Sequence, residues 1–215
     1  MEAMRLPKSR VAAAYLVVGG FAMGAVLLSP ARSVKASSQE SPAYTRNGDL
    51  LPPIRYREWI YLTSGLDMSY TPKTVYGGGQ SMFDNVFVNP EAWRGFLASG
   101  TWPDKTVMVL EHRRARNKGS INQSGHFQAG AVVGIEVHVK DESRFPAKWA
   151  FFSFDAPDRN GVRIPQKADC YSCHAEHGAV VTTFVQFYPT LLPIAQAKGS
   201  ISAAHAAEIL TGANK

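Results

Sequence analysis

Cysteine is almost missing from this chain, with two in 215 residues. That excludes a disulfide-rich scaffold, and a chain of this length buries enough surface to fold without one. Charged residues are modest at 19% and apolar residues make up 45%, a balance that excludes a disordered chain, a collagen or a multi-span membrane protein. No internal repeat is evident. The body also lacks a basic stripe with interleaved aromatics, so the formal net charge of +6 does not by itself point to nucleic acid.

Most of that charge sits at one end. Arg5, Lys8, Arg10, Arg32 and Lys35 stand against Glu2 alone in residues 1–36, so this segment carries +4 of the +6. The remainder holds 18 basic and 16 acidic residues and is near neutral. A basic start followed by eighteen uncharged residues, Val11–Leu28, reads as a secretory signal, with Val34-Lys35-Ala36 offering a cut after Ala36. The same stretch is just long enough to be an N-terminal membrane anchor. Either way the rest is exported. Residues 37–46 read as a linker, smallest and most polar over Ser37–Pro42, and residues 47–215 as one domain.

Periodicity in that domain predicts an α+β fold, mainly an antiparallel β-sheet with a few helices. Tyr56–Leu62 is expected as a short helix and Gly77-Gly78-Gly79 as a break. Asn85–Asn89 reads as a strand, and Pro90 opens a helix over Glu91–Ala98. Thr106–His112 is rich in β-formers, and Ala131–Lys140 alternates with period two, as a half-buried strand does. Trp149–Phe154 is apolar on both faces and is expected as a central strand. Thr183–Leu192 and Ala195–Leu210 look helical, broken at Pro189 and Pro193. The basic run His112–Lys118 reads as a solvated loop or, alternatively, a patch for an acidic redox partner. Phe83, Phe87, Phe96, Phe127, Phe151 and Phe152 read mostly as core.

One motif carries chemistry. Cys170-Tyr171-Ser172-Cys173-His174 is a C-x-x-C-H sequence, the attachment pattern of c-type haem. Two thiols three residues apart reach both vinyl groups of one porphyrin edge, and the adjacent histidine supplies its imidazole to iron. Both cysteines are thereby used, which suits an oxidising compartment. The rival readings are a redox C-x-x-C, which wants a thioredoxin-like βαβ context, and half a zinc site, which wants two more ligands. A second iron ligand would make an electron carrier, and a vacant position would allow small molecules to bind. Met68, Met82, Met108, His112, His126, His138 and His177 are the available donors, each of which taken alone reads as structural or solvent-facing. His177 follows His174 too closely to reach the opposite haem face.

Tyr56–Trp59, Val86–Glu91, the turn Trp102–Thr106, the strand Val107–Glu111, Gly134–Glu136, Val139–Asp141, Lys148–Phe151, the C-x-x-C-H site and Phe184–Pro189 together resemble the cytochrome P-460 family, in the family's order. The resemblance implies a mostly antiparallel β fold, a homodimer, one covalent haem c per chain, and chemistry on hydroxylamine or nitric oxide in the periplasm. It also implies a position where hydroxylamine-oxidising members carry a lysine linked to the porphyrin. Here Leu110 stands there, and leucine has no amine to make the link. Lys105, in the preceding turn, is the nearest substitute. The chain is therefore more similar to the cytochrome c′-β branch, gas-binding proteins without the link. Glu136 has two readings: a solvated residue on the polar face of its strand, or, as the resemblance implies, a distal acid or base.

Overall fold

The computed structural model describes residues 41–69 and 80–211. The expected export segment 1–36, the start of the linker and the Gly77–Gly79 break lie outside the described residues. Within them, no helix is long and apolar enough to cross a membrane.

Six strands form a single antiparallel meander in chain order: β1 (Ile60–Leu66), β2 (Met82–Val88), β3 (Val107–Arg116), β4 (Phe127–Lys140), β5 (Trp149–Phe154) and β6 (Val162–Arg163). Helix α1 (Pro90–Ser99) connects β2 to β3, and α2 (Asp169–His177), α3 (Leu192–Lys198) and α4 (Ala203–Thr211) follow the sheet. The α+β expectation holds. Helix α1 begins at Pro90, whose fixed φ and missing N–H suit a first turn, and ends at Gly100 in the left-handed region.

Each face of the sheet is covered. One core gathers Val109, Ile135, Val137, Val139, Ala150 and Phe152. The other packs Val88, Phe96, Trp102, Met108 and Trp149 against the C-terminal segment through Val180, Val185 and Leu191. This is why Trp149–Phe154 is apolar on both faces, although β5 lies next to the two-residue edge strand β6 instead of at the centre.

Several expectations are corrected. Tyr56–Leu62 is not a helix: a single 3₁₀ turn spans Tyr56–Glu58, and Ile60 starts β1. The aromatic and β-branched residues Ile60, Tyr61 and Thr63 favour pairing with β2 over helical geometry. The basic run is not a loop, because β3 continues through Arg116 and pairs with β4. Ala131 and Val133 are exposed, unlike Ile135, Val137 and Val139, since β4 reaches β5 only from Ile135 onward. Thr183–Leu192 holds one 3₁₀ turn, Val185–Phe187. The last helical stretch is two helices, parted where Gly199 adopts φ 68°. Tyr44, expected in the linker, is part of the folded unit: its hydroxyl donates to Asp141 at 3.2 Å and its ring meets the edge of Phe145.

Candidate functional site

The C-x-x-C-H motif occupies α2, a helix the periodicity did not reveal because no residue of it is fully buried. Cys170 and Cys173 are half-buried free thiols. At three residues apart on a helix they share a face, and His174 completes the same stripe one turn on from Cys170. Burial, with smaller contributions from Glu176 and Cys170, pushes the Cys173 thiol up. Tyr171, between the cysteines, ties the helix to the sheet. Its hydroxyl accepts the Phe151 backbone N–H at 3.1 Å and donates to the Ile164 carbonyl at 3.2 Å, and its ring stands at 90° to that of Phe151.

His174 is fixed from three sides. Its ring lies 4.2 Å from Phe184 and 4.6 Å from Phe151, centroid to centroid. Its Nδ1 is 2.8 Å from the Thr182 carbonyl. A carbonyl only accepts, so Nδ1 carries the proton and Nε2 keeps its lone pair, as a metal-ligating histidine requires. Burial holds the imidazole below its usual range, with the Thr182 bond opposing this.

The Thr182 carbonyl is delivered by an unusual turn. Val180 and Thr183 bridge each other, and Val181 between them adopts φ 56°, a region that a β-branched residue avoids. Gly178 makes room: a Cβ there would meet the His174 carbonyl oxygen at 2.6 Å and the Val181 oxygen at 2.8 Å. Trp102 Nε1 donates to Thr183 Oγ1 at 2.8 Å, which itself donates to the Val180 carbonyl. The strained turn is thus held by the core.

His174 faces a cavity of about 340 Å³ between the sheet and the Thr183–Tyr188 segment. Cross-strand register sorts its floor into rows. Met108, His138 and Phe151 form the row nearest α2; Val86, Leu110 and Glu136 form the next; Asp84 and His112 form the third. Leu110 therefore lines the wall directly between Val86 and Glu136. Glu136 sits at the rim with its side chain 53% exposed and an oxygen 4.0 Å from His112 Nε2, so it is both solvated and a pocket residue. Of the seven donors considered, Met68, Met108, His112 and His138 line the cavity; Met82, His126 and His177 do not. His177 pairs instead with Glu208 of α4 at 2.6 Å. Lys105 is also away from the cavity, paired with Asp141 and bonded to Ser143 at 3.0 Å.

His138 is the side chain sequence reasoning undervalued. It is buried, stacks on Phe151 at 3.9 Å and 12°, and meets the His174 ring at 5.3 Å. Its Nε2 has no partner, although buried polar atoms are ordinarily satisfied. Burial first, then His174, keeps it neutral. An orphaned buried nitrogen and a histidine with its Nε2 lone pair available, both on the cavity wall, with two free thiols on the helix that carries that histidine, fit a polar-edged prosthetic group. Phe184, Tyr188 and Asp84 were also missed as lining residues. Spacing to the motif could have found Phe184; nothing local marks Asp84.

No curated protein matches the chain. The family model for cytochrome P460 matches residues 53–185, well over half of the sequence and spanning β1 through the turn at Val181, and the family implies a haem cofactor. The chain belongs to the cytochrome P460 family.

Proposed function

We propose that this chain is an exported c-type haem protein that binds nitric oxide at an open iron position, for sequestration or redox detoxification, in the manner of the cytochrome c′-β branch. The observation that carries the proposal is the pairing of a fixed His174 with Leu110 on the cavity wall. Cys170 and Cys173 would hold one haem through thioethers. His174 Nε2 would be the ligand to its iron, and the Thr182 carbonyl would keep the ring from turning. Bound haem supplies an iron centre that takes up diatomic ligands and exchanges electrons. Leu110, Val86 and Met108 keep that part of the cavity apolar, which suits a small uncharged ligand. Glu136 stands where it can exchange a proton with solvent at the rim. Location in the periplasm, with residues 11–28 cut off or retained as an anchor, a homodimer and a redox partner at the exposed Arg114 and Arg116 belong to the same proposal.

The ferrous absorption spectrum of the exported holoprotein, with and without nitric oxide, tests it. The expected spectrum is five-coordinate and high-spin, changing on addition of the gas. A six-coordinate low-spin ferrous form before any ligand is added refutes it.

A second reading, oxidation of hydroxylamine or nitric oxide, is favoured by one feature: Asp84, His112 and Glu136 give an apolar cavity three acid–base groups. It needs a modified haem. A red-shifted ferrous Soret band, a lysine–haem cross-link by mass spectrometry and turnover of hydroxylamine would establish it. The electron carrier, a third reading, draws on Met68, Met108 and His138 as donors at the cavity. It requires the low-spin spectrum and its loss when one of them is replaced.

A further inference from the structure

Three ionisable side chains come from three adjacent strands onto one face of the sheet, inside a cavity whose wall is otherwise mainly aliphatic and aromatic. Asp84 of β2 and His112 of β3 are paired residues in register. His112 Nδ1 lies 2.7 Å from Asp84 Oδ1. Asp84 is buried at 8% exposure and the His112 side chain is 18% exposed. Glu136 of β4 is diagonal to His112, because the residue opposite His112 is Gly134. With no side chain at Gly134, His112 Nε2 is left pointing past it toward the Glu136 carboxylate and the cavity. A carboxylate on Nδ1 fixes the tautomer and makes the imidazole more basic, the arrangement by which buried acids orient histidine bases.

We propose that Asp84 and His112 form the proton-accepting pair of this cavity, with Asp84 the positioning residue, His112 the base and Glu136 the outlet to solvent. The proposal rests on the open haem site proposed above. When a weak acid H–X binds with X⁻ on iron, the H–X bond breaks and the Fe–X bond forms. The proton goes to His112 Nε2, while Nδ1–H stays on Asp84. Nothing is oxidised or reduced. Glu136 then returns the proton to water at the rim.

Several described groups face His112. Burial lowers its titration, Asp84 from β2 and Glu136 from β4 raise it, and the net displacement is upward. Arg114, next on the same face of β3, is exposed. β1 contributes the uncharged Thr63 and Gly65, and across the cavity stand His138, His174 and Tyr188.

The experiment is the rate of cyanide binding to the ferric holoprotein as a function of pH, below the range where cyanide itself ionises. The expected wild-type rate rises with pH through an inflection above the ordinary histidine value, as His112 loses its proton and becomes able to accept one. His112→Gln is expected to lower the plateau by about tenfold or more and to remove the inflection. Asp84→Asn keeps a bond to Nδ1 but removes the charge, so its inflection is expected to move down, a displacement that a purely structural role would not produce. Association of nitric oxide with the ferrous form releases no proton, so its wild-type rate is expected to show no inflection over the same pH range. A His112→Gln protein with the wild-type rate and profile overturns the pair while leaving the open site intact. A wild-type ferrous spectrum that is six-coordinate and low-spin overturns the open site, and the pair with it.

Discussion

Replacing Glu111 by Gln should cost the protein about 3 kcal/mol at neutral pH and remove much of its sensitivity to acid. Glu111 is 2% exposed. Its carboxylate accepts from Arg113 Nε at 2.5 Å, Arg57 Nε at 2.9 Å, Asn85 Nδ2 at 3.2 Å and the Tyr56 hydroxyl. Burial alone would push its pKa up, but those four donors outweigh burial and hold it at about 2, against 4.5 for an ordinary glutamate. A depression of that size corresponds to about 3 kcal/mol of stability carried by the ionised form. The sign follows from the depression. The contribution is complete above the unfolded value of 4.5 and is lost as pH falls toward 2. Glutamine also leaves Arg57 and Arg113 facing a neutral group, and breaking a buried ion pair on one side costs about 3–5 kcal/mol. Urea unfolding at several pH values between 2 and 7 reads both effects. Wild type should lose stability steeply below pH 4.5, and the variant should be weaker at pH 7 with a shallower acid slope. A variant within 1 kcal/mol of wild type at pH 7, with the same acid slope, would refute the reasoning.

Further outcomes are expected elsewhere in the molecule. Tyr171→Phe removes the acceptor of the buried Phe151 N–H, so thermal unfolding should show a loss of about 1–3 kcal/mol, with less haem attached per chain by mass spectrometry. Gly178→Ala puts a methyl against three backbone atoms at 2.6–2.9 Å and should cost about 1–3 kcal/mol, whereas Val181→Gly relieves a left-handed valine and should stabilise the protein by about 0.5 kcal/mol; denaturant melts of the pair check both signs. The Asp84–His112 pair raises the histidine above 6.5, so its stability is present below that value and lost as pH rises through the higher folded one. The gap between wild type and His112→Gln should therefore shrink in alkaline unfolding series. His177→Ala, at an exposed ion pair with Glu208, should change stability by no more than about 0.5 kcal/mol.

The parts of the fold that were legible share a cause. Ala131–Lys140, Thr106–His112 and Glu91–Ala98 repeat with a clear period or carry a helix-starting proline, and each became the expected element. The parts that were not legible are decided by tertiary contacts. Tyr56–Leu62 has the apolar content of a helix, but its second half pairs with β2. Helix α2 has no buried face to create a period, and it is held by Tyr171 and by the cavity side of His174 instead. At the candidate site, the Cys170, Cys173 and His174 motif was legible because covalent haem attachment would fix that spacing. Asp84 was not, and His138 stood out no more than the six other candidate donors, since a residue's position in a row across strands depends on a register that no single segment reveals.

Register also explains how one strand serves two purposes. Along β3, Glu111 points into the far core and is gripped by Arg57, Arg113 and Asn85, while Leu110 and His112 on either side point into the cavity. A slip of one residue would exchange the faces, burying the cavity residues and leaving the Glu111 carboxylate in an apolar pocket. The cost of that exchange is set mainly by Glu111, which would leave Tyr56, Arg57 and Asn85 behind and keep only Arg113, two residues on in the same strand. The buried ion cluster therefore fixes which side chains the cavity presents. That gives Glu111→Gln a consequence beyond stability: if β3 loses its register, binding at the cavity and the His112 titration should both change, although Glu111 touches neither.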